Sequence, residues 1–143
     1  MGTHSADLIV IGTGPGGEGA AMKAVKSGKS VIVIDRYHRM GGGCTHWGTI
    51  PSKALRQAIQ YLHDFKSNPI SKDIAHKLNM GYPELLNTAN SVIDKQSNMR
   101  RSFYEKNDIE IIHSNAKFID ENHIEVTNAE GQVQKLTAKS FVI

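Results

Sequence analysis

The chain has 143 residues, enough for one core and too few for two nucleotide-binding domains plus a dimerisation domain. Its 39% hydrophobic and 22% charged residues fit an ordinary soluble globular protein, and its single cysteine, Cys44, excludes an internal disulfide. The net charge is +3, but the basic residues are scattered among 14 acidic ones, so no nucleic-acid partner is expected; the one tight pair, Arg100-Arg101, reads as a solvated helix face.

Residues 7–11 form a short β-rich apolar run that suits a strand buried on both faces of a parallel sheet. Gly12-Thr-Gly-Pro-Gly-Gly17 follows at once, and residues 18–27 then read as a helix of small residues closed by Gly28. Ser30 to Ile34 is a second buried strand ending at Asp35, which completes a β-α-β unit. After the glycine-rich stretch Met40-Gly-Gly-Gly-Cys44, apolar residues at 54, 55, 58, 59, 62 and 65 predict a helix from Pro51 to about Lys66. Residues 67–82 are polar and read as a loop. A longer helix is expected from Pro83 to about Asn107, with a near-heptad stripe at 85, 89, 92, 96, 99 and 103. Its Gln96 and short span favour packing against its own domain over a coiled coil. Residues 109–113, 116–119, 123–127 and 133–136 read as strands, with a hairpin turn at 128–131, and 141–143 as the start of a further buried strand.

No secretory signal is evident, and no apolar run approaches the ~18 residues of a membrane span. A cytoplasmic location without a membrane partner is the expectation. The seven histidines stand at 4, 38, 46, 63, 76, 113 and 123; none pairs at ligand spacing on a plausible helix, so no metal site is expected.

The glycines at 12, 14 and 17 form a dinucleotide fingerprint in its proper context: strand before, helix after, acidic residue at the end of the second strand. Gly12 permits the tight turn, Gly14 lets a pyrophosphate approach the backbone, and Gly17 lets helix and strand pack closely. The helix start offers free N–H groups and a positive dipole end to phosphates. Asp35 would accept hydrogen bonds from the adenosine ribose and would repel a 2′-phosphate. The competing reading is a glycine-rich turn of some other α/β protein, with Asp35 merely closing a strand. The fingerprint alone leaves FAD and NAD open.

The segment Gly41-Gly-Gly-Cys-Thr-His-Trp-Gly-Thr-Ile-Pro-Ser-Lys53 resembles the active-site stretch of the flavoprotein disulfide reductases. There two cysteines precede a short apolar residue and Pro-Ser-Lys. Cys44 stands at the first cysteine position, but Thr49 occupies the second. A threonine hydroxyl forms no disulfide and no thiolate, so dithiol chemistry is closed to this chain. In this form, with Gly-Pro-Gly-Gly-Glu-Gly-Ala-Ala upstream, the chain is similar to the soluble pyridine nucleotide transhydrogenases.

That resemblance implies a Rossmann-like, FAD-binding α/β domain with a parallel sheet, a helical insertion and a small antiparallel β meander. It implies FAD as cofactor, with NADPH and NAD as substrates of a longer protein that forms a homo-oligomer. Gly12, Gly14, Pro15 and Gly16 would form the diphosphate loop, Asp35 and Arg36 would lie by the ribose, and Gly41, Gly42, Gly43 and Cys44 would wrap the pyrophosphate. Thr49 would face the isoalloxazine, and Lys53 would approach its N5 side. Asn115-Ala116 would meet the adenine.

Plainer roles stand beside these. Thr49 would also serve as a cap for the helix starting at Pro51, Lys53 as a solvated lysine, and Cys44 as a small buried neighbour rather than a catalytic thiol. Trp47 would stack on the flavin or fill the core, His46 is expected at the surface rather than as a proton donor, and His113 as a satisfied core histidine. Residues 1–143 are expected to be the first part of an FAD domain, with the NAD(P) and dimerisation domains elsewhere and no catalytic competence in this chain alone. A stand-alone nucleotide-binding module and a divergent dihydrolipoamide dehydrogenase-like reductase are the alternatives.

Overall fold

The computed structural model describes residues 4–75, 77 and 80–143. His76, and residues 78 and 79 of the predicted loop, lie outside the described residues. The elements run β1 (His4–Ile11), α1 (Pro15–Lys26), β2 (Val31–Ile34), α2 (Gly42–His46), α3 (Thr49–Ser67), α4 (Lys72–Ala75), α5 (Tyr82–Lys106), β3 (Glu110–Ile112), β4 (Asn115–Phe118), β5 (His123–Thr127) and β6 (Val133–Val142). They divide into two compact units, one holding the chain to Gly42 together with Ser97–Ile143, the other Gly43–Gln96.

The first unit is built on a six-stranded sheet of order β3-β2-β1-β6-β5-β4. The β3-β2-β1-β6 part is parallel and the β6-β5-β4 part antiparallel. This is the expected α/β class, with its meander. β1 starts earlier than its apolar run because His4, Ser5 and Ala6 pair with Leu136, Thr137 and Ala138, and a distant partner needs no apolar signal. The two strands read at 133–136 and 141–143 are one. β6 pairs with β5 over its first half and with β1 over its second, and Leu136 belongs to both ladders. The small and polar residues Thr137 to Ser140 hid that continuity.

α1 begins at Pro15 rather than 18, with Gly14 as its N-cap. Proline at the first helical position lacks only an N–H that no helix would use, and its φ is already helical. Gly28, at φ 72°, ends the helix by sending its N–H to the Val25 carbonyl (2.9 Å), while the Lys29 N–H meets the Ala24 carbonyl (3.1 Å).

Two apolar layers flank the parallel strands. Ile9, Ile32 and Ile34 pack with Ile124, Val126, Leu136 and Ala138 of the meander. Alternate residues of the same strands, Val10, Val31 and Val33, pack with Ala21, Met40, Tyr104 and Ile109. Period-2 alternation buried on both faces explains why β2 is apolar throughout.

The helices α3 and α5 lie within two residues of their predicted bounds. α2 and the four-residue α4 were not legible: glycine's poor helix propensity conceals the first, and the second is a single turn within a polar stretch. On α5 the predicted stripe holds at positions 85, 89, 92 and 96, which are buried or half-buried, and fails at Met99 and Phe103, which are exposed, while Ile93, Ser97 and Tyr104 are also buried. Of the Arg100-Arg101 pair, Arg101 is exposed as expected, but Arg100 is half-buried. Arg100 Nε meets Glu18 Oε2 at 3.0 Å with both side chains mostly covered, and Arg101 donates to the His38 carbonyl (3.0 Å).

Candidate functional site: a phosphate turn at the carboxyl edge of the sheet

In the first unit the turn after β1 is fastened before any ligand is considered. The Gly12 N–H donates to the Ile34 carbonyl (2.7 Å), and Gly12 sits at φ 107°, where a side chain is strained. A Cβ on Gly17 would fall onto the Gly12 carbonyl oxygen and lie 3.0 Å from Val10 Cγ1, so only glycine lets α1 approach β1 this closely. By contrast, a Cβ on Gly14 or Gly16 would meet no atom of the other described residues within 4 Å beyond its own local backbone. The protein's own packing gives no reason for glycine at those two positions. A ligand approaching the open side of the turn does.

Asp35, at the end of β2, is buried. Its Oδ2 accepts from the Thr13 N–H (2.9 Å) and the Thr13 hydroxyl (2.6 Å), and its Oδ1 from the Tyr37 N–H (3.0 Å). A carboxylate offers about four acceptor positions, so one remains open. Thr13 Oγ1 also accepts from the buried Gly41 N–H (3.1 Å). Gly42, at φ 61°, brings its backbone onto the turn, since a Cβ there would lie 2.8 Å from Gly14 Cα. Gly12, Gly14, Pro15, Gly16, Asp35, Gly41 and Gly42 are therefore linked through this turn.

Arg36 is exposed, with its guanidinium 4.9 Å from the Tyr37 ring centre. The strand-end loop is held from β3 as well. The Asp35 carbonyl accepts from the Ser114 N–H (3.2 Å), and His113 Nδ1 lies 3.1 Å from the Tyr37 carbonyl, its ring 4.6 Å from that of His38. His113 is thus half-buried and hydrogen-bonded at the rim. Asn115 and Ala116 open β4, the first exposed and the second half-buried.

The second unit carries the remaining expected residues. Gly43 is exposed and Cys44 half-buried. Trp47 is 65% exposed, which removes the core-filling role, and its ring lies 5.8 Å from that of the half-buried His46. Thr49 does not cap α3. It is the helix's exposed first residue, and Gly48 is the N-cap, because the helix starts two residues before Pro51. Lys53 is exposed in the first turns of α3, beside a cavity of about 420 Å³ lined also by Ile50, Ala54, Gln57 and Tyr61. Among the described residues no group of three or more His, Cys, Asp or Glu could hold a metal ion, and no helix is long and apolar enough to cross a membrane.

Sequence reasoning missed Thr13, Glu18 and Tyr104. Thr13 fills a variable position of the fingerprint and carries no signal there. Tyr104 is fully buried with no hydrogen-bond partner for its hydroxyl among the described residues; burial, with Glu18 and Asp35 nearby, raises its pKa above the usual phenol value.

A β-α-β unit, a glycine turn open on one side and free N–H groups at a helix start together define a dinucleotide-binding fold. Comparison with known proteins narrows the class. Residues 6–143 match the family of pyridine nucleotide-disulphide oxidoreductases, and the chain belongs to that family. It is 53% identical over 137 residues to the soluble pyridine nucleotide transhydrogenase of Citrobacter koseri, covering 96% of this chain and 29% of that protein. To the protein of the same name from Erwinia tasmaniensis it is 49% identical over 141 residues, covering 99% and 30%. For that of Klebsiella pneumoniae the figures are 53% over 137 residues, 96% and 29%. The chain thus spans about three-tenths of the length of these curated relatives.

Proposed function

We propose that the chain is the FAD-binding part of a soluble NAD(P)⁺ transhydrogenase of the Si-specific type, which passes hydride from NADPH to NAD⁺. The observation that carries this reading is the phosphate turn, whose Gly14 and Gly16 face open space at the start of α1. The names of the relatives and the threonine at position 49 narrow it from dinucleotide binding in general. When bound, FAD would supply the hydride-carrying ring.

The protein's own groups bind, orient and tune. The N–H groups at the start of α1, with Pro15 setting its first turn, would hold the diphosphate, with Gly41, Gly42, Gly43 and Cys44 as its further binding residues. The free acceptor position of Asp35, with Arg36, would serve the adenosine ribose, and Ala116 the adenine. Thr49 takes the place where a disulfide reductase keeps the thiol that receives electrons, so electrons are not diverted to a dithiol. Lys53 would supply positive charge to stabilise the reduced ring. The nicotinamide site and the homo-oligomer contacts belong to the rest of the protein, in the cytoplasm, and residues 1–143 alone do not catalyse the exchange.

The test is the visible spectrum of the full-length protein under anaerobic titration. Flavin bands that bleach with NADPH and recover when NAD⁺ follows are expected. A colourless protein that cannot be reconstituted with FAD would overturn the reading.

A further inference from the structure

The hydroxyl of Thr13 joins three separate segments of the first unit. It donates to Asp35 Oδ2 at the end of β2 (2.6 Å) and accepts from the N–H of Gly41 (3.1 Å), while its own backbone lies inside the phosphate turn. Its N–H adds a second bond to the same carboxylate oxygen (2.9 Å). Thr13 has no exposed surface, Gly41 is buried, and Asp35 is 8% exposed. A hydroxyl that donates once and accepts once at a buried junction fixes both neighbours, because neither has water as an alternative partner. The consequence reaches the open side of the turn. Gly41 precedes Gly42, which lies close enough to Gly14, the N-cap of α1, that a Cβ on it would fall 2.8 Å from Gly14 Cα.

We propose that Thr13 is a positioning residue for the dinucleotide: its hydroxyl sets the phosphate turn and the Gly41-Gly42 backbone in binding geometry in advance, with Asp35 serving chiefly as its acceptor. The proposal rests on the dinucleotide reading of this site. Three of the four acceptor positions of Asp35 go to protein donors, so its larger contribution is to the shape of the turn and its smaller one to the ribose. A turn already shaped does not have to be ordered when the ligand arrives, and that ordering cost otherwise weakens binding.

Three variants of the full-length protein separate this from a purely structural role. Thr13→Val keeps the side-chain shape and removes the hydroxyl, leaving the buried Gly41 N–H without its acceptor. Thr13→Ser keeps the hydroxyl and loses a methyl. Thr13→Ala removes the hydroxyl without placing a methyl against Gly41, and is read in place of Thr13→Val if the latter does not fold. Apoprotein is titrated with FAD by quenching of flavin fluorescence and with ADP by calorimetry, and hydrogen exchange is followed at the Gly41 amide. The expected result is a roughly 10- to 100-fold weaker Kd for both ligands without the hydroxyl, restored to within about threefold by Thr13→Ser. The Gly41 amide should exchange faster only in the variants without the hydroxyl. Lowered thermal stability with unchanged Kd for both ligands would overturn the positioning role while leaving the dinucleotide site intact. A wild-type protein that binds neither ADP nor FAD would instead overturn the dinucleotide reading, and the proposal with it.

Discussion

Gly16 and Gly17 are adjacent in sequence and opposite in what a methyl group would meet, so replacing each with alanine separates fold from ligand. In Gly17→Ala the new Cβ lands on the Gly12 carbonyl oxygen and presses on Val10 Cγ1 at 3.0 Å. The first neighbour is backbone in a turn already tied to β2 by a 2.7 Å hydrogen bond, so relief requires α1 to move off the sheet. Overpacking of this kind costs about 1–3 kcal/mol, and a backbone neighbour puts it at the upper end. For a domain of this size about 3 kcal/mol lowers Tm by roughly 10 °C. In Gly16→Ala the Cβ meets nothing, and alanine in a first helical turn gains up to about 0.5 kcal/mol over glycine. The same methyl occupies the open side where the diphosphate is expected, and should weaken FAD binding on the order of tenfold or more. Thermal unfolding of the apoproteins, followed by FAD titration, reads both effects. If Gly17→Ala melts within about 2 °C of wild type, or Gly16→Ala binds FAD normally, the packing argument for this turn is wrong.

Arg100→Met leaves Glu18 largely buried beside an apolar chain and should cost about 2–3 kcal/mol in urea unfolding, less than a fully buried pair because both partners keep some exposure; Glu18→Leu added to it should recover most of the loss. Tyr104→Phe removes a buried hydroxyl that has no partner among the described residues, and should leave stability unchanged or raise it by up to about 1 kcal/mol, as read by the urea midpoint. Hydrogen bonds from Lys139 (2.7 Å) and from Ser30 hold the Asp7 carboxyl well below the usual carboxylate range. Its folded pKa is depressed, so the stabilisation is complete above the unfolded value near ~4 and is lost as pH falls below it. Asp7→Asn should therefore flatten the acid limb of the stability-pH curve, and a limb unchanged by the substitution would remove Asp7 from the account.

The β-α-β unit was legible because each of its signals is local: an apolar run, a glycine turn, small helical residues and an acidic strand end. The long helices were legible from period. What stayed hidden depends on contacts between distant segments. The extra residues of β1 and the middle of β6 are strand only because each pairs with the other, and their own composition is polar or small. The α5 stripe failed only at its C-terminal end, because a heptad pattern describes a helix partner, whereas Tyr104 there packs against the sheet. At the site, the glycines announced themselves by spacing. Thr13 did not, since a buried hydroxyl and a surface one look alike in sequence. Asp35 was placed at the right point of the fold, and the structure adds that most of its acceptor capacity faces inward.

The double membership of β6 bears on how the chain reaches this fold. Leu8 pairs with Val31, which follows it closely in sequence, and also with Ser140, near the far end of the chain. On a ribosome the β1-β2 pair is complete long before its other neighbour emerges, and until then one edge of β1 offers unpaired N–H and C=O groups to any passing strand. Such long-range parallel pairing also forms slowly, because a large loop must close before the contacts reward it. The turn that would receive a dinucleotide is thus spelled out in the first forty residues, yet the second neighbour of β1 comes only with β6.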